Sequence, residues 1–345
     1  MDEEVNKIGG QIMIKLGIIG TNWITQQFVD AAHATKKYQL TAVYSRTTEK
    51  AKQFGEKNGA TGFFDNLTDF FKSETIDTFY IASPNSLHFE QAKQGIENDK
   101  NVIVEKPIVS NIKQMEILRQ TLEEHPQARL FEAARQVHQP NFKVVKGQVA
   151  MLDRVQGATL TYMKYSSRYD AVLAGETPNV FTLNFAGGAL QDLGVYVAYD
   201  AVGWFGMPDD VAYYPTLTST RVDGKGVAIL RYPEFDVTLN IGKTSNSYLG
   251  SEIYGLKDTI VMDNPAELGN VSIRDEAGKE TVIGTKPADN PMISEAEDFG
   301  RVINDPQNEL NDRDYWTWLD LSQNVNKLLY NLRQSGKIVF PDDAQ

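Results

Sequence analysis

Six apolar runs of strand length alternate with helix-length segments through the first 133 residues, and this alternation constrains the fold more than any other feature of the chain. The runs cover residues 12–19, 38–44, 62–64, 76–82, 102–104 and 128–133. Helical periodicity follows several of them, as in Ile24, Phe28 and Ala32, in 67–72 and in 111–124. Alternation of this kind predicts a doubly wound parallel sheet with helices on both faces. Val102, Ile103 and Val104 are continuously β-branched, which suits a strand covered on both sides.

From about Gly157 the pattern changes. Residues 158–165, 211–220, 227–232, 237–243, 252–254, 259–262 and 271–274 read as strands, several joined by tight turns, which favours an open, mostly antiparallel sheet. Helices are predicted over 188–205, 293–303 and 315–334. The last carries Leu321, Val325, Leu328 and Leu332 on one stripe and stops at Gly336, a signal for the first residue past a helix end. With 345 residues the chain exceeds one ordinary core. The expected fold class is α/β in two domains, 13–135 and 136–345, with the last helix able to pack back on the first domain. Residues 1–12 read as a disordered arm or an appended remnant ahead of a start at Met13, with no export signal.

Composition narrows the chemistry. The absence of cysteine excludes disulfides and thiolate catalysis and fits a reducing, cytoplasmic location. Four histidines at 33, 88, 125 and 138 show no metal-binding spacing, so no metal is expected. A net charge of −12 argues against nucleic acid or an anionic membrane as partner. No apolar run approaches the ~18 residues of a membrane span.

Chemistry-bearing residues gather at predicted strand ends. The 102–104 strand stops at Glu105-Lys106-Pro107, and in open α/β sheets ligands bind at the carboxyl edge. Pro107 biases Lys106 toward extended backbone, so its ammonium is held; a surface ion pair is the plain alternative. After 12–19, Gly20, Thr21, Asn22, Trp23 and Ile24 form a strand-turn-helix junction able to point amides at a pyrophosphate. On a G-x-G-x-x-G template Gly20 fills the first place, while Asn22 and Thr25 stand at the second and third, so Asn22 either obstructs phosphate approach or caps the helix. The second strand ends in Ser45-Arg46 rather than an acid, which favours a 2′-phosphate and hence NADP over NAD; a solvated loop arginine is the alternative. Ser83, Pro84, Asn85 and His88 lie in the loop after the fourth strand. In the 188–205 helix Asp192 and Tyr196 are four apart and share a face beside the stripe of Leu190, Leu193, Val197, Ala201 and Trp204, an arrangement that a buried, hydrogen-bonded tyrosine would also produce.

Together these motifs resemble the glucose-fructose oxidoreductase and inositol dehydrogenase family (Gfo/Idh/MocA) over nearly the whole chain from Met13. The likeness rests on the 17–24 turn, the 83–88 loop, Glu105-Lys106-Pro107 and the glycine-rich 187–196 segment. It implies an N-terminal Rossmann domain, a C-terminal α/β domain whose sheet forms a dimer or tetramer interface, and catalysis by Lys106, Asp192 and Tyr196. Tyrosine at 196 looks like the dihydrodiol and sugar dehydrogenase members. The implied cofactor ligands are Gly20, Thr21, Asn22, Trp23, Ile24, Ser45, Arg46, Ser83, Pro84, Asn85, His88, Glu105 and Lys106. Arg135, His138, Arg168 and Tyr169 are candidate substrate residues. The implied activity is NAD(P)-dependent hydride transfer at a carbinol carbon of a sugar, polyol or cyclic diol. A catalytically silent dinucleotide-binding sensor and a cofactor-assisted glycoside hydrolase are the rival readings.

Overall fold

Strands β1 (Ile14–Ile19), β2 (Tyr38–Tyr44), β3 (Gly62–Phe64), β4 (Thr78–Ile81), β5 (Asn101–Glu105) and β6 (Leu130–Ala133) form one all-parallel sheet in the order β3-β2-β1-β4-β5-β6. The computed structural model describes residues 7–8 and 11–344. Every residue of β4 is buried, as are Val102, Ile103 and Val104 of β5, because helices cover both faces. On one face Phe28 of the Trp23–Ala34 helix stacks on Tyr80 of β4 with ring centroids 3.9 Å apart. The run at 12–19 divides at Met13. Gln11–Ile12 pairs antiparallel with Lys7–Ile8, while the rest of the expected arm, 1–6 and 9–10, lies outside the described residues.

The second sheet contains β7 (Gly157–Met163), β8 (Asp210–Leu217), β9 (Asp223–Arg231), β10 (Asp236–Gly242), β11 (Ser251–Tyr254), β12 (Thr259–Met262), β13 (Val271–Arg274) and β14 (Glu280–Val282). Its order is β8-β9-β10-β7-β11-β12-β13-β14, antiparallel throughout except where β10 runs parallel to β7. The Val195–Phe205 helix and the Glu309–Ser335 helix cover its inner face, with Val197, Ala201, Val325, Leu328 and Leu332 in one core with Leu160, Leu230, Leu239 and Ile241. Tyr315 and Leu319, nearer the start of the last helix, belong instead to the core of the parallel sheet. One helix thus joins both cores.

Two local expectations are corrected. Gly336 is not the left-handed residue past the last helix: its φ is −77°, and Lys337 takes the positive φ of 57°. Lys337 N bonds Gln334 O and Ile338 N bonds Arg333 O, a Schellman closure displaced by one residue. Glycine stands at 336 for contact instead, since a Cβ there would lie 2.8 Å from the Tyr213 ring. The helix expected over 188–205 also opens differently, as a π turn over Leu190–Gly194 before regular helix begins. Among the described residues no helix is long and apolar enough to cross a membrane.

Candidate functional site

β5 delivers Lys106 to the carboxyl edge of the parallel sheet because its apolar residues are fully buried and the strand ends at Glu105. The Glu105 side chain turns inward, where its carboxylate accepts the Tyr80 hydroxyl at 2.5 Å, and burial pushes that carboxyl up. The Glu105 side chain is thus a core acid beneath the site. His88 is likewise buried. Its two ring nitrogens lie 2.9 Å from Pro107 O and from Ser83 O, so it clamps the 83–88 loop to the turn carrying Lys106 rather than facing a pocket.

Across the cleft, the π turn carries Asp192 toward Lys106. Lys106 Nζ donates to Asp192 O at 3.0 Å and to Oδ1 at 3.3 Å, joining residues 86 positions apart. The other carboxylate oxygen is taken by Lys243, whose Nζ lies 2.8 Å from Oδ2. Burial alone would push the Asp192 carboxyl up, but Lys243 and then Lys106 outweigh it and hold the group well below the usual carboxylate range. Burial works on Lys106 in the opposite sense, and the charges of Tyr196, Asp192 and Glu105 reverse it, so this ammonium is held above the ordinary lysine value.

Tyr196 stands in the first turn of the regular helix. Its ring lies 5.0 Å from Lys106 Nζ and 5.7 Å from Arg135 Cζ, with the Tyr162 ring edge-on at 5.4 Å. Lys106 therefore meets Tyr196 across the ring face, a cation–π contact. Asp223 anchors the start of the π turn: its Oδ2 accepts Leu190 N and the Tyr213 hydroxyl, both at 2.7 Å. Asn85 ties the loop after β4 to the segment before the π turn by donating to Ala186 O at 3.0 Å.

The dinucleotide turn sits where the strand order reverses, between the ends of β1 and β4. Gly20 has φ +103°, and a Cβ there would meet Ala82 O at 2.8 Å, so the tight turn requires glycine. Asn22 is a helix cap. Its Oδ1 accepts Ile24 N at 3.0 Å and Thr25 N at 3.1 Å, while Nδ2 reaches Ala82 O at 3.4 Å. Of the two readings of Asn22 the structure shows the cap, with the side chain folded back onto the helix. Thr25, at the third template position, is buried against the cap. Trp23 is largely open to solvent, Thr21 and Ile24 are half-buried, Ser83 Oγ donates to Gln91, and Pro84 sits partly exposed beside Asn85. Ser45 is buried and Arg46 is exposed at the end of β2. A turn with no room for a Cβ, at the capped start of a twelve-residue helix, fits a dinucleotide pyrophosphate.

Of the candidate substrate residues, Arg135 is in the site, held at 3.6 Å from Glu267 Oε1. Tyr169 packs at the rim against Phe181, and Arg168 is exposed beside it. His138 is buried, bonded to Asp298 at 2.9 Å and enclosed by Phe299 and Trp318. Lys243 was missed, although the alternation of Val237, Leu239 and Ile241 on the buried face of β10 places residue 243 on that same face. Among the described residues no cluster of three or more acidic, histidine or cysteine side chains is arranged to hold a metal ion.

Residues 14–132 match the GFO_IDH_MocA family, an oxidoreductase family with an NAD-binding Rossmann fold. The chain is 36% identical over 332 residues to the uncharacterized oxidoreductase YgjR of Escherichia coli K12, covering 96% of this chain and 99% of that one. It is 38% identical over 331 residues to the scyllo-inositol 2-dehydrogenase (NADP(+)) IolU of Bacillus subtilis, covering 96% and 99%. The crystal structure of KijD10, a 3-ketoreductase from Actinomadura kijaniata with NADP and TDP-benzene, shares the fold with a TM-score of 0.81 at 20% identity, over 94% of this chain and 98% of that one.

Proposed function

This chain belongs to the GFO_IDH_MocA family of nicotinamide-dependent oxidoreductases, and from that premise we propose that it moves a hydride between NADP and a carbinol carbon of a sugar, polyol or cyclic diol, with Tyr196 exchanging the hydroxyl proton. The observation that carries this reading is the convergence of Lys106, Asp192 and Tyr196 at one sheet edge from positions far apart in sequence. A bound nicotinamide supplies the hydride acceptor for oxidation and the donor for reduction. The turn of Gly20, Thr21, Asn22, Trp23 and Ile24 would hold its pyrophosphate, with Ser45 and Arg46 at the adenosine ribose and the 83–85 loop beside it.

The proton belongs to Tyr196 rather than Lys106 on this reading, because an ammonium paired to Asp192 and shifted upward keeps its proton near neutral pH. In oxidation the substrate hydroxyl gives its proton to the Tyr196 oxygen; in reduction the phenol returns it. Lys106 stabilises negative charge on the reacting oxygen, and Asp192 fixes where the ammonium points. Arg135 and Tyr162, which also lie against the Tyr196 ring, orient substrate hydroxyls, with Arg168 and Tyr169 beside them. Residues 13–135 serve the cofactor, and 136–345 serve the substrate. A panel of polyols and sugars with both nicotinamides, followed by reduced-nicotinamide absorbance, tests the reading. Binding of cofactor without turnover on any of them would favour the silent sensor.

NADP is expected to bind more tightly than NAD because exposed Arg46 can form a charge-assisted pair with a 2′-phosphate. Arg46→Ala should weaken NADP by about 10- to 100-fold and leave NAD unchanged, in line with the ~1.5 to 3 kcal/mol of a hydrogen bond to a charged group. Fluorescence titration of both cofactors decides this, and equal losses for the two would refute it. The second sheet also presents Tyr214 and Val227 as exposed cross-strand neighbours, an apolar face suited to a second copy of the chain. Sedimentation velocity should give a dimer or tetramer, and Tyr214→Glu should shift it toward monomer; a wild-type monomer would reject the assembly.

A further inference from the structure

Lys243 is fully excluded from solvent, and its ammonium makes contacts on three sides. It lies 2.8 Å from Asp192 Oδ2 and 2.9 Å from Val180 O, over the Phe181 ring at 4.4 Å. Val180 O also accepts Gly188 N at 3.1 Å, so one carbonyl joins the strap before the catalytic helix, the glycine that starts the helix, and Lys243. The lysine backbone is fixed as well, with its N bonded to Gly224 O and its O bonded by Ser166 N.

Folding alone does not call for this arrangement. Asp192 already has a cationic partner in Lys106, and an apolar side chain filling the same volume is commonly as stabilising as a buried ion pair. The second ammonium changes the charge of the site instead. Lys106 with Asp192 is a neutral pair; Lys106, Asp192 and Lys243 together carry one net positive charge. We propose that Lys243 is a positioning residue for the reaction, holding the Asp192 carboxylate from behind so that the Lys106 charge is left uncancelled toward the reacting oxygen. This inference rests on the roles proposed for Lys106 and Tyr196, and it adds a fourth residue that touches none of the reacting atoms.

The sign of the expected pH effect follows from the groups present. Tyr196 is faced by Lys106, Arg135 and Tyr162, with Glu267 behind Arg135 and Glu105 behind Lys106. Asp192 and Asp223 are the acids that interact with Lys243, while buried Glu295 interacts with Glu105 and Arg135 and His88 with Lys106. Removing Lys243 subtracts a positive charge from this set and leaves the others in place. A site of lower positive charge favours a deprotonated base less, so the rising limb of the oxidation rate moves to higher pH.

Lys243→Met should lower kcat by about 10- to 100-fold, the scale of a misplaced catalytic group, with KM changed less, and should move that limb upward by at least about half a unit. In the protein without cofactor, hydrogen–deuterium exchange across residues 179–192 should accelerate, a readout independent of turnover. Faster exchange with an unmoved limb would reduce Lys243 to a structural lysine and overturn the inference, as would an unchanged protein. Should Lys243→Met not fold, Asp192→Asn is compared with Asp192→Asn/Lys243→Met, which leaves no carboxylate unpaired. The limb should lie higher in the double variant, and coincident limbs overturn the proposal. Lys106→Ala serves as the discriminating control. Full activity there sinks the reading of the site, whereas an inactive Lys106→Ala beside a wild-type Lys243→Met profile sinks only this inference.

Discussion

Lys106→Ala is expected to slow single-turnover hydride transfer by ~10² to 10⁴-fold while leaving the fold and most cofactor affinity intact, the range over which a positioned acid–base system contributes. The fold should survive because Asp192 keeps Lys243 at 2.8 Å and is not stranded as an unpaired buried charge. The rate should not, because the site then loses the only one of its two ammonium groups that lies over the Tyr196 ring, and Asp192 with Lys243 becomes neutral. Lys106→Arg should fail as well. Guanidinium is planar and wider, and it cannot meet Asp192 O, Asp192 Oδ1 and the Tyr196 ring from the position of a single nitrogen. A surface ion pair would predict near-normal rates in both variants. Rates within about threefold of wild type, with melts confirming the fold, would remove Lys106 from the mechanism, since that loss is far smaller than the acid–base factor.

Legibility in the sequence followed how local the determining interactions were. Strands buried on both faces need continuous apolar runs, so the parallel sheet and the arrival of Lys106 at its edge could be read directly. Asp192 and Tyr196 were legible through helical spacing, although the π turn before Val195 was not, since nothing in the local pattern of Leu190–Gly194 separates it from ordinary helix. β14 went unread because all three of its residues are exposed and it has no apolar face to display. The Pro140–Met151 helix buries only Asn141, Phe142 and Val145, too few for a clear periodicity. Roles set by distant partners were the least accessible. His138 turned out to be engaged by Asp298, 160 positions away, and Lys243 by Asp192, 51 positions away. Alternation along β10 could place Lys243 inside but could not name the acid awaiting it. Gly336 misled for a related reason: its contact with Tyr213 looks, in sequence, the same as a requirement for positive φ.

Gly188→Ala is expected to cost both stability and activity, because residue 188 is where the helix carrying Asp192 and Tyr196 is pinned. Its φ is +123°, which an alanine rarely adopts, and a Cβ there would collide with Asp223 Oδ1 and stand 3.2 Å from its Cγ. Asp223 has no free direction in which to yield. It is buried, and its Oδ2 already accepts Leu190 N and the Tyr213 hydroxyl. The start of the helix must therefore shift, weakening the Leu190 cap and displacing Asp192, whose own amide bonds Gly188 O at 3.2 Å. Backbone strain of ~1 to 3 kcal/mol and a damaged cap of about 1 kcal/mol predict a loss of roughly 2 to 4 kcal/mol. Displacement of Asp192 predicts a kcat loss on the order of 10²-fold. Because clash and cap share one side chain, Gly188→Ala and Asp223→Ala should combine to less than the sum of their separate losses. Asp223 also supplies a pH signature. Burial pushes its carboxyl up to about 6, so its contribution is fully present below the unfolded carboxylate value of about 3.9 and is lost as pH rises through about 6. Asp223→Ala should flatten the fall in stability across that window. Denaturant midpoints for the two single variants and the double, measured at both ends of the window, test the account; strict additivity, or a Gly188→Ala protein as stable and active as wild type, would show that the helix is not pinned there.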